Sequence, residues 1–451
     1  MQVSSASHKN ERGVTILIVA VSLMTLMAMA ALAIDVAGLY VARGEAQRAA
    51  DAAALAGAKM FVTSSYTSNP TGWVTSKLCQ STGPGGTAAV NKMAELTAQS
   101  NKIAGSPAEI KSITCDFDTP AHEHTNPQVT VTVQSENVPT FFSKIWSRNS
   151  LTVTATATAE AYNASGQNAP IQLTNVKPWL IPNCNPDKTV HAECPGEYFI
   201  EDTTGKITPA GAARIGTQIH INRNPTGAVG GNGGTLDINA LRYPDSPAPV
   251  CPSTSAVSCG APVGDGDPYI DNTACISRLQ FQCGQQIGTG SSPEILIQSE
   301  SLLALSPTET GTKCLIHATN TGPGQGQDEF VTGVPVFING GDNNPNTAFH
   351  VPNISRSDSV VTVPVYRGDQ MCFDAPPPPN IYGKCVAASP TPATVIGFLQ
   401  LAIQDTEGGG LHAVILNIVG CSPAAIAASP SANAISGGES SPIPVRLVQA
   451  R

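Results

Sequence analysis

The hydrophobic pattern divides the chain near its start. From Gly13 to Ile34 no charged residue occurs, and only Thr15, Ser22 and Thr25 interrupt the apolar run. At about 1.5 Å rise per residue, such a helix reaches across a hydrocarbon core of about 30 Å. Lys9 and Arg12 precede the run and Asp35 follows it. Positive charge on the N-terminal flank favours an N-in orientation. The pattern therefore predicts a cytoplasmic stretch over 1–12, a transmembrane helix over 13–34 and export of the remainder. A cleaved signal peptide is the competing reading. Ala28-Met29-Ala30 and Ala31-Leu32-Ala33 imitate an A-x-A cleavage site, although the run exceeds the usual apolar core of a signal.

Beyond Asp35 the pattern stays helical but changes character. Eight of the thirteen residues from Ala46 to Ala58 are alanine, the strongest helix former. Arg43, Gln47 and Asp51 fall on one side, while Val36, Leu39, Tyr40, Ala46, Ala49, Ala50 and Ala53 fall on the other. No proline occurs before Pro70, so span and helix form one continuous rod. Ala33/Ala37, Gly38/Ala42 and Ala49/Ala53 are small-xxx-small pairs of the kind that let backbones approach closely. With Asp51 they make a candidate packing interface, either for another helix in an assembly or for this protein's own sheet.

Period two begins at Pro127. Val129–Glu136 and Leu151–Tyr162 alternate β-branched and small residues, which predicts two strands. Phe141, Phe142, Ile145 and Trp146 between them predict a short apolar plug. Residues 35–162 thus read as a long helix leaning on a small antiparallel sheet, a pilin-like α+β arrangement. Residues 163–178 read as a linker and 179–421 as a β-rich domain. Short runs there include Glu294–Glu300, Gly333–Asn339 and a hairpin of Val395–Gln404 with Leu411–Val419. Residues 422–451, rich in Ala, Ser and Pro, read as a flexible tail.

Composition narrows the function. Charged residues are 13% of the chain, the net charge is -9 and no basic cluster exists, which argues against nucleic-acid binding. Twelve cysteines without a CxxC suggest disulfides formed in an oxidising compartment. Sequence proximity pairs Cys184 with Cys194, Cys251 with Cys259, Cys275 with Cys283, and Cys372 with Cys385. Elimination then leaves Cys79 with Cys115 and Cys314 with Cys421. No GxSxG, HExxH or P-loop occurs, so no catalytic or cofactor-binding residue is expected. His122-Glu123-His124, the carboxylates Asp265, Asp267 and Asp271, and the loop Gly340–Asn344 carry residue types that can ligate a metal. Plain surface loops and turns explain them better, so no metal is expected.

The stretch Arg12–Ala58 resembles the N-terminal segment of the Tad-type (Flp) pilus-assembly proteins TadE and TadG. Its Arg-Gly opening, the Ile-Asp-Val-x-x-Leu-Tyr exit at Ile34–Tyr40 and the Gln47-x-x-Ala-Asp-Ala-Ala-Ala-Leu-Ala block carry the resemblance. Val138–Ala161, Val360–Asp369 and the later hairpin are similar more weakly. The resemblance implies a non-enzymatic scaffolding or tethering role at the bacterial inner membrane, with the bulk of the chain periplasmic. The implied partners are the lipid bilayer and other pilus-assembly proteins, with no small-molecule substrate. An adhesin or ligand-binding module is the alternative, and a surface hydrolase a more distant one. The fifth residue after Gly13 is Ile18, where processed pseudopilins carry Glu, which favours a TadG-like over a TadE-like relative. No DxSxS motif occurs, so the metal site of a von Willebrand A-type domain is not expected.

Overall fold

The structure is a computed structural model. It describes residues 11–69, 75–117, 126–140, 150–183, 198–222, 235–237, 239–244, 247–250, 268–287, 295–297, 305–332, 336–367, 393–407, 410–428, 434–435 and 441–448. His122, Glu123, His124, Phe141, Phe142, Ile145, Trp146, Asp265 and Asp267 lie outside these residues. So do Cys184, Cys194, Cys251, Cys259, Cys372 and Cys385.

One uninterrupted helix, α1 (Glu11–Thr63), contains both the apolar run and the alanine-rich stretch. A second helix, α2 (Ala89–Ser100), packs beside its C-terminal half. Three strands follow: β1 (Glu109–Asp116), β2 (Gln128–Pro139) and β3 (Ser150–Ala161). The alternation read from the sequence has a direct structural cause. Val129, Val131 and Val133 of β2 face the core, while Thr130 and Thr132 face outward. There they meet Thr158 and Thr156 across the ladder at 2.8 and 2.9 Å, paired hydroxyls that suit a solvated sheet face.

A larger mixed sheet is centred on β4 (Trp179–Pro182), β5 (Gln218–Asn222), β6 (Val360–Tyr366), β7 (Ala393–Glu407) and β8 (Gly410–Gly420). Its order runs Leu296–Ile297, Asn239–Arg242, β4, β6, β7, β8, β5, Thr235–Asp237, with Gln286–Ile287 also pairing β7. The expected hairpin is β7–β8, which pair antiparallel. Both faces of these strands are covered, which explains their near-continuous apolar sequence. The fold class is α+β. Of the shorter expected strands, Leu296–Ile297 and Phe337–Asn339 are strand among the described residues.

Two segments differ from their sequence reading. Residues 163–178, expected as a linker, are built into the body. Ile171, Leu173 and Val176 are buried, Gln172–Leu173 pairs Phe281–Gln282, and Val176 bridges Thr362. The run Ile-Gln-Leu supplies the alternation of a short strand, and its apolar side closes the core between the two sheets. Part of the expected tail, β9 (Val445–Val448), pairs with β3 and becomes an edge of the small sheet, giving the order β9-β3-β2-β1. Arg446 Nη2 and the Glu160 carboxylate meet there at 2.6 Å. The chain thus leaves the small sheet, builds the large one and returns.

Cysteine pairing is likewise set by the sheets. Cys79 is bonded to Cys115. Cys283 is bonded to Cys421, which corrects both the Cys275–Cys283 and the Cys314–Cys421 pairings. The cause is β7. Gly284 N–H donates to the Val395 carbonyl and Cys421 N–H to the Ile396 carbonyl, which sets the two cysteines side by side. Cys275 and Cys314 are also disulfide-bonded.

Candidate functional site: an apolar helix and its dock

The N-terminal half of α1 has almost no protein around it. Large apolar side chains from Val14 to Ile34 are exposed on every side of the helix. The most apolar 18-residue window has a mean hydropathy of 2.5 and is only 6% buried. A core helix of a globular protein hides such a surface; this one presents it outward. The Thr25 hydroxyl donates to the Ser22 carbonyl at 2.8 Å, so that polar group is satisfied within the helix. The helix is long and apolar enough to cross a membrane.

The C-terminal half is the opposite. Ala42, Ala46, Ala49, Ala50, Ala53, Ala54 and Ala58 are buried, at spacings of three and four residues. They lie against Ala155, Ala157 and Ala159 of β3, the inward valines of β2, and Val90 and Ala94 of α2. Small residues on both sides bring the helix close to the sheet. Gly57 faces both neighbours closely, since a Cβ there would stand 3.2 Å from Val90 Cγ1 of α2 and 3.4 Å from Val129 Cγ1 of β2.

The candidate interface is therefore divided. Ala33, Ala37 and Gly38 are exposed, whereas Ala42, Ala49 and Ala53 are spent on this protein's own sheet. Asp51 is half-buried and accepts a hydrogen bond from Gln47 Nε2 at 2.7 Å. That glutamine also reaches the Thr156 carbonyl. Of the two readings left open by the sequence, intramolecular packing holds for the upper residues.

The end of α1 is fastened to the large sheet by a polar cluster that the sequence reading missed. Asn417 of β8 is fully buried. Its Nδ2 donates to the Val62 carbonyl at 2.7 Å and to Gln400 Oε1 at 2.8 Å. Its Oδ1 accepts from the Thr67 and Ser68 hydroxyls at 2.9 and 2.8 Å. Asn163 Nδ2 adds bonds to the carbonyls of Thr67 and Ile418. The one available signal was Asn417 itself, a polar residue inside the apolar run Ala413–Val419.

Of the polar candidates raised by the sequence, the loop Gly340–Asn344 and Asp271 lie among the described residues. In the loop Gly340–Asn344, Gly341 N–H and Asn344 Nδ2 donate to the buried Asp328 carboxylate. The loop therefore offers donors to a carboxylate rather than oxygens to a cation. Asp271 sits in the helix Pro268–Ala274. Among the described residues no three His, Cys, Asp or Glu side chains are placed to hold a metal ion.

Residues 13–60 match the Flp pilus-assembly TadE/G-like family model, a segment that covers nearly all of α1. No curated protein and no solved structure matches the chain.

Proposed function

We propose that this chain is a membrane-anchored component of a Tad/Flp-type pilus-assembly system, a scaffold or tether acting through protein–protein contacts rather than an enzyme. One observation carries the reading. A single helix with a TadE/G-like sequence is bare over its apolar half and fixed into a large disulfide-bonded body over its other half. In this reading residues 1–12 are cytoplasmic, the span crosses the bacterial inner membrane, and the body lies in the periplasm. Lys9 and Arg12 before the span support that orientation, and the disulfides support an oxidising compartment.

The dock supports a tethering role. A flexible linker would let the exported body wander, whereas the shared core and the Asn417 cluster hold it in fixed relation to the helix axis. The partners are the bilayer and other pilus-assembly proteins. The exposed band Ala33, Ala37 and Gly38 is the part of the helix available to them. A Cβ at Gly38 meets nothing within 4 Å, so a larger residue fits there without disturbing the fold. The test is Ala37→Leu with Gly38→Leu, followed by affinity isolation of the membrane-extracted protein and counting of pili. Loss of co-isolated pilus-assembly proteins, with unchanged protein level, supports the reading. Unchanged association and piliation removes this band from it.

A further inference from the structure

Two hydrogen bonds fix how the small sheet stands beside α1. Gln47 Nε2 donates to the Thr156 carbonyl of β3 at 3.3 Å. Higher up, Asn163, just past the end of β3, donates to the Thr67 carbonyl at 3.1 Å, just past the end of α1. Strand and helix therefore rise together. The seven residues from Thr156 to Asn163 cover about 23 Å at 3.3 Å each, and the sixteen from Gln47 to Thr63 cover about 24 Å at 1.5 Å each. Read downward, the same scale finds the membrane end of the sheet. Ser150, where β3 begins, lies about 20 Å below Thr156, which is about thirteen residues of helix and reaches Ile34. Ile34 is the last residue of the uncharged apolar run.

Burial on α1 marks the same level independently. Among residues 13–41 of the helix all are exposed except Ala31, Asp35 and Leu39, which share one side. Ala31 is 8% and Asp35 7% exposed, and Leu39 packs against the core that holds Val138 and Val153. The body thus comes down to the point where α1 leaves its apolar run. What points down there is the β2–β3 hairpin. Val138 pairs with Leu151 and Pro139 with Ser150, so the two strand ends stand side by side. The nine residues that join them, 141–149, lie outside the described residues, but these ends fix where they leave the sheet. Their sequence is Phe-Phe-Ser-Lys-Ile-Trp-Ser-Arg-Asn, with four large apolar side chains, two cations and no carboxylate, in a chain of net charge -9. On α1 itself, the exposed Tyr40 and Arg43 stand about 9 and 14 Å above Ile34.

We propose that this rim of the small sheet rests on the bilayer surface, and that the turn 141–149 enters the lipid interface as a second contact beside the span. Phe141, Phe142, Ile145 and Trp146 supply the apolar surface that the boundary between headgroups and acyl chains takes up, and tryptophan is a residue this boundary favours. Lys144 and Arg148 meet lipid phosphates, and Tyr40 and Arg43 lie on the headgroup side. A lone span lets the body tilt over the membrane. A second contact at the foot of the same sheet sets its orientation. The inference rests on the proposed membrane anchor.

Fluorescence of the full chain in lipid nanodiscs tests it. Discs of phosphatidylcholine and phosphatidylglycerol are compared with discs of the same lipids carrying bromine near the headgroup end of the acyl chains, which quenches indoles in that layer. The Trp146 emission is the difference between the unaltered chain and Trp146→Phe, and it is expected to fall at least twofold in the brominated discs. The emission of Trp146→Phe itself should change little, since Trp179 is buried within the protein. Equal Trp146 emission in the two kinds of disc, with the chain still eluting with the discs, overturns the proposal and leaves the anchor standing. A turn folded onto Ala31 and Asp35, or held by another protein, gives that result. A chain that does not elute with the discs overturns anchor and contact together.

Discussion

Replacing Asn417 by alanine tests the dock between the helix and the large sheet. The side chain serves four partners. Two of them have an alternative. The Val62 carbonyl still receives Ser65 N–H at 3.1 Å, and the Ser68 hydroxyl can turn to the Ile418 carbonyl. Two do not: Gln400 Oε1, which is buried, and the Thr67 hydroxyl, which is half-buried. At about 1–3 kcal/mol for each orphaned group, plus a small void, the expected loss is about 3–5 kcal/mol. Urea unfolding of the full chain in detergent, followed by the fluorescence of the buried Trp179, measures it. The double change Gln400→Leu with Asn417→Leu removes the Gln400 acceptor with its donor and should cost less than Asn417→Ala by about one orphaned group, since the Thr67 hydroxyl stays unpaired in both. Hydrogen exchange should show the amides of residues 62–69 opening first in the alanine variant. A loss below about 1 kcal/mol, within reach of an ordinary surface change, would refute the argument that this cluster fastens the helix.

Three further outcomes are expected. Lys177 is fully buried, donates to the Cys275 carbonyl at 2.7 Å, and is pushed down to about 7, chiefly by burial. Above that pH the unfolded chain keeps a proton the folded chain has lost, so stability should rise between pH 7 and about 10.5. The share of Lys177 in the gain from pH 7 to 9 is about 2 kcal/mol, and Lys177→Met should remove that share in denaturant titrations at both pH values, leaving the smaller rise expected from Lys59, which burial lowers to about 8. Replacing Cys283 and Cys421 together by serine opens a link spanning 138 residues and should cost about 2–5 kcal/mol, read as a lowered midpoint under non-reducing conditions. Ala53→Leu should destabilise by about 1–3 kcal/mol or more through overpacking against the sheet, whereas Ala37→Leu should leave the unfolding midpoint within about 0.5 kcal/mol.

Local pattern made much of this fold legible. The continuity of α1, the strands β2 and β3, and the β7–β8 hairpin all follow from periods of 3.6 and two that neighbouring residues impose on each other. What stayed hidden is non-local. Nothing near Trp179 announces that β4 will lie parallel to β6, almost two hundred residues on. The return of β9 to the first sheet is equally invisible, because Val445–Val448 is short and carries polar Arg446 at its centre. Pairing cysteines by proximity failed at Cys283 because the sheet, not the loop length, brings Cys421 beside it. The small-residue face of α1 was visible as a face. Which part of it meets the protein's own sheet depends on where the body begins, and sequence spacing does not encode that.

In the proposed function an intact apolar helix anchors a disulfide-bonded body to the membrane. Membrane fractionation with alkaline washing, followed by intact-mass analysis of the native protein, distinguishes this anchor from a removed signal. A chain retaining residues 13–34 is expected in the washed pellet, lighter than its reduced form by two hydrogens per disulfide. A soluble chain beginning near Ala31 or Asp35 would contradict it, because the apolar run would then be a removed signal and the dock would hold only a truncated helix.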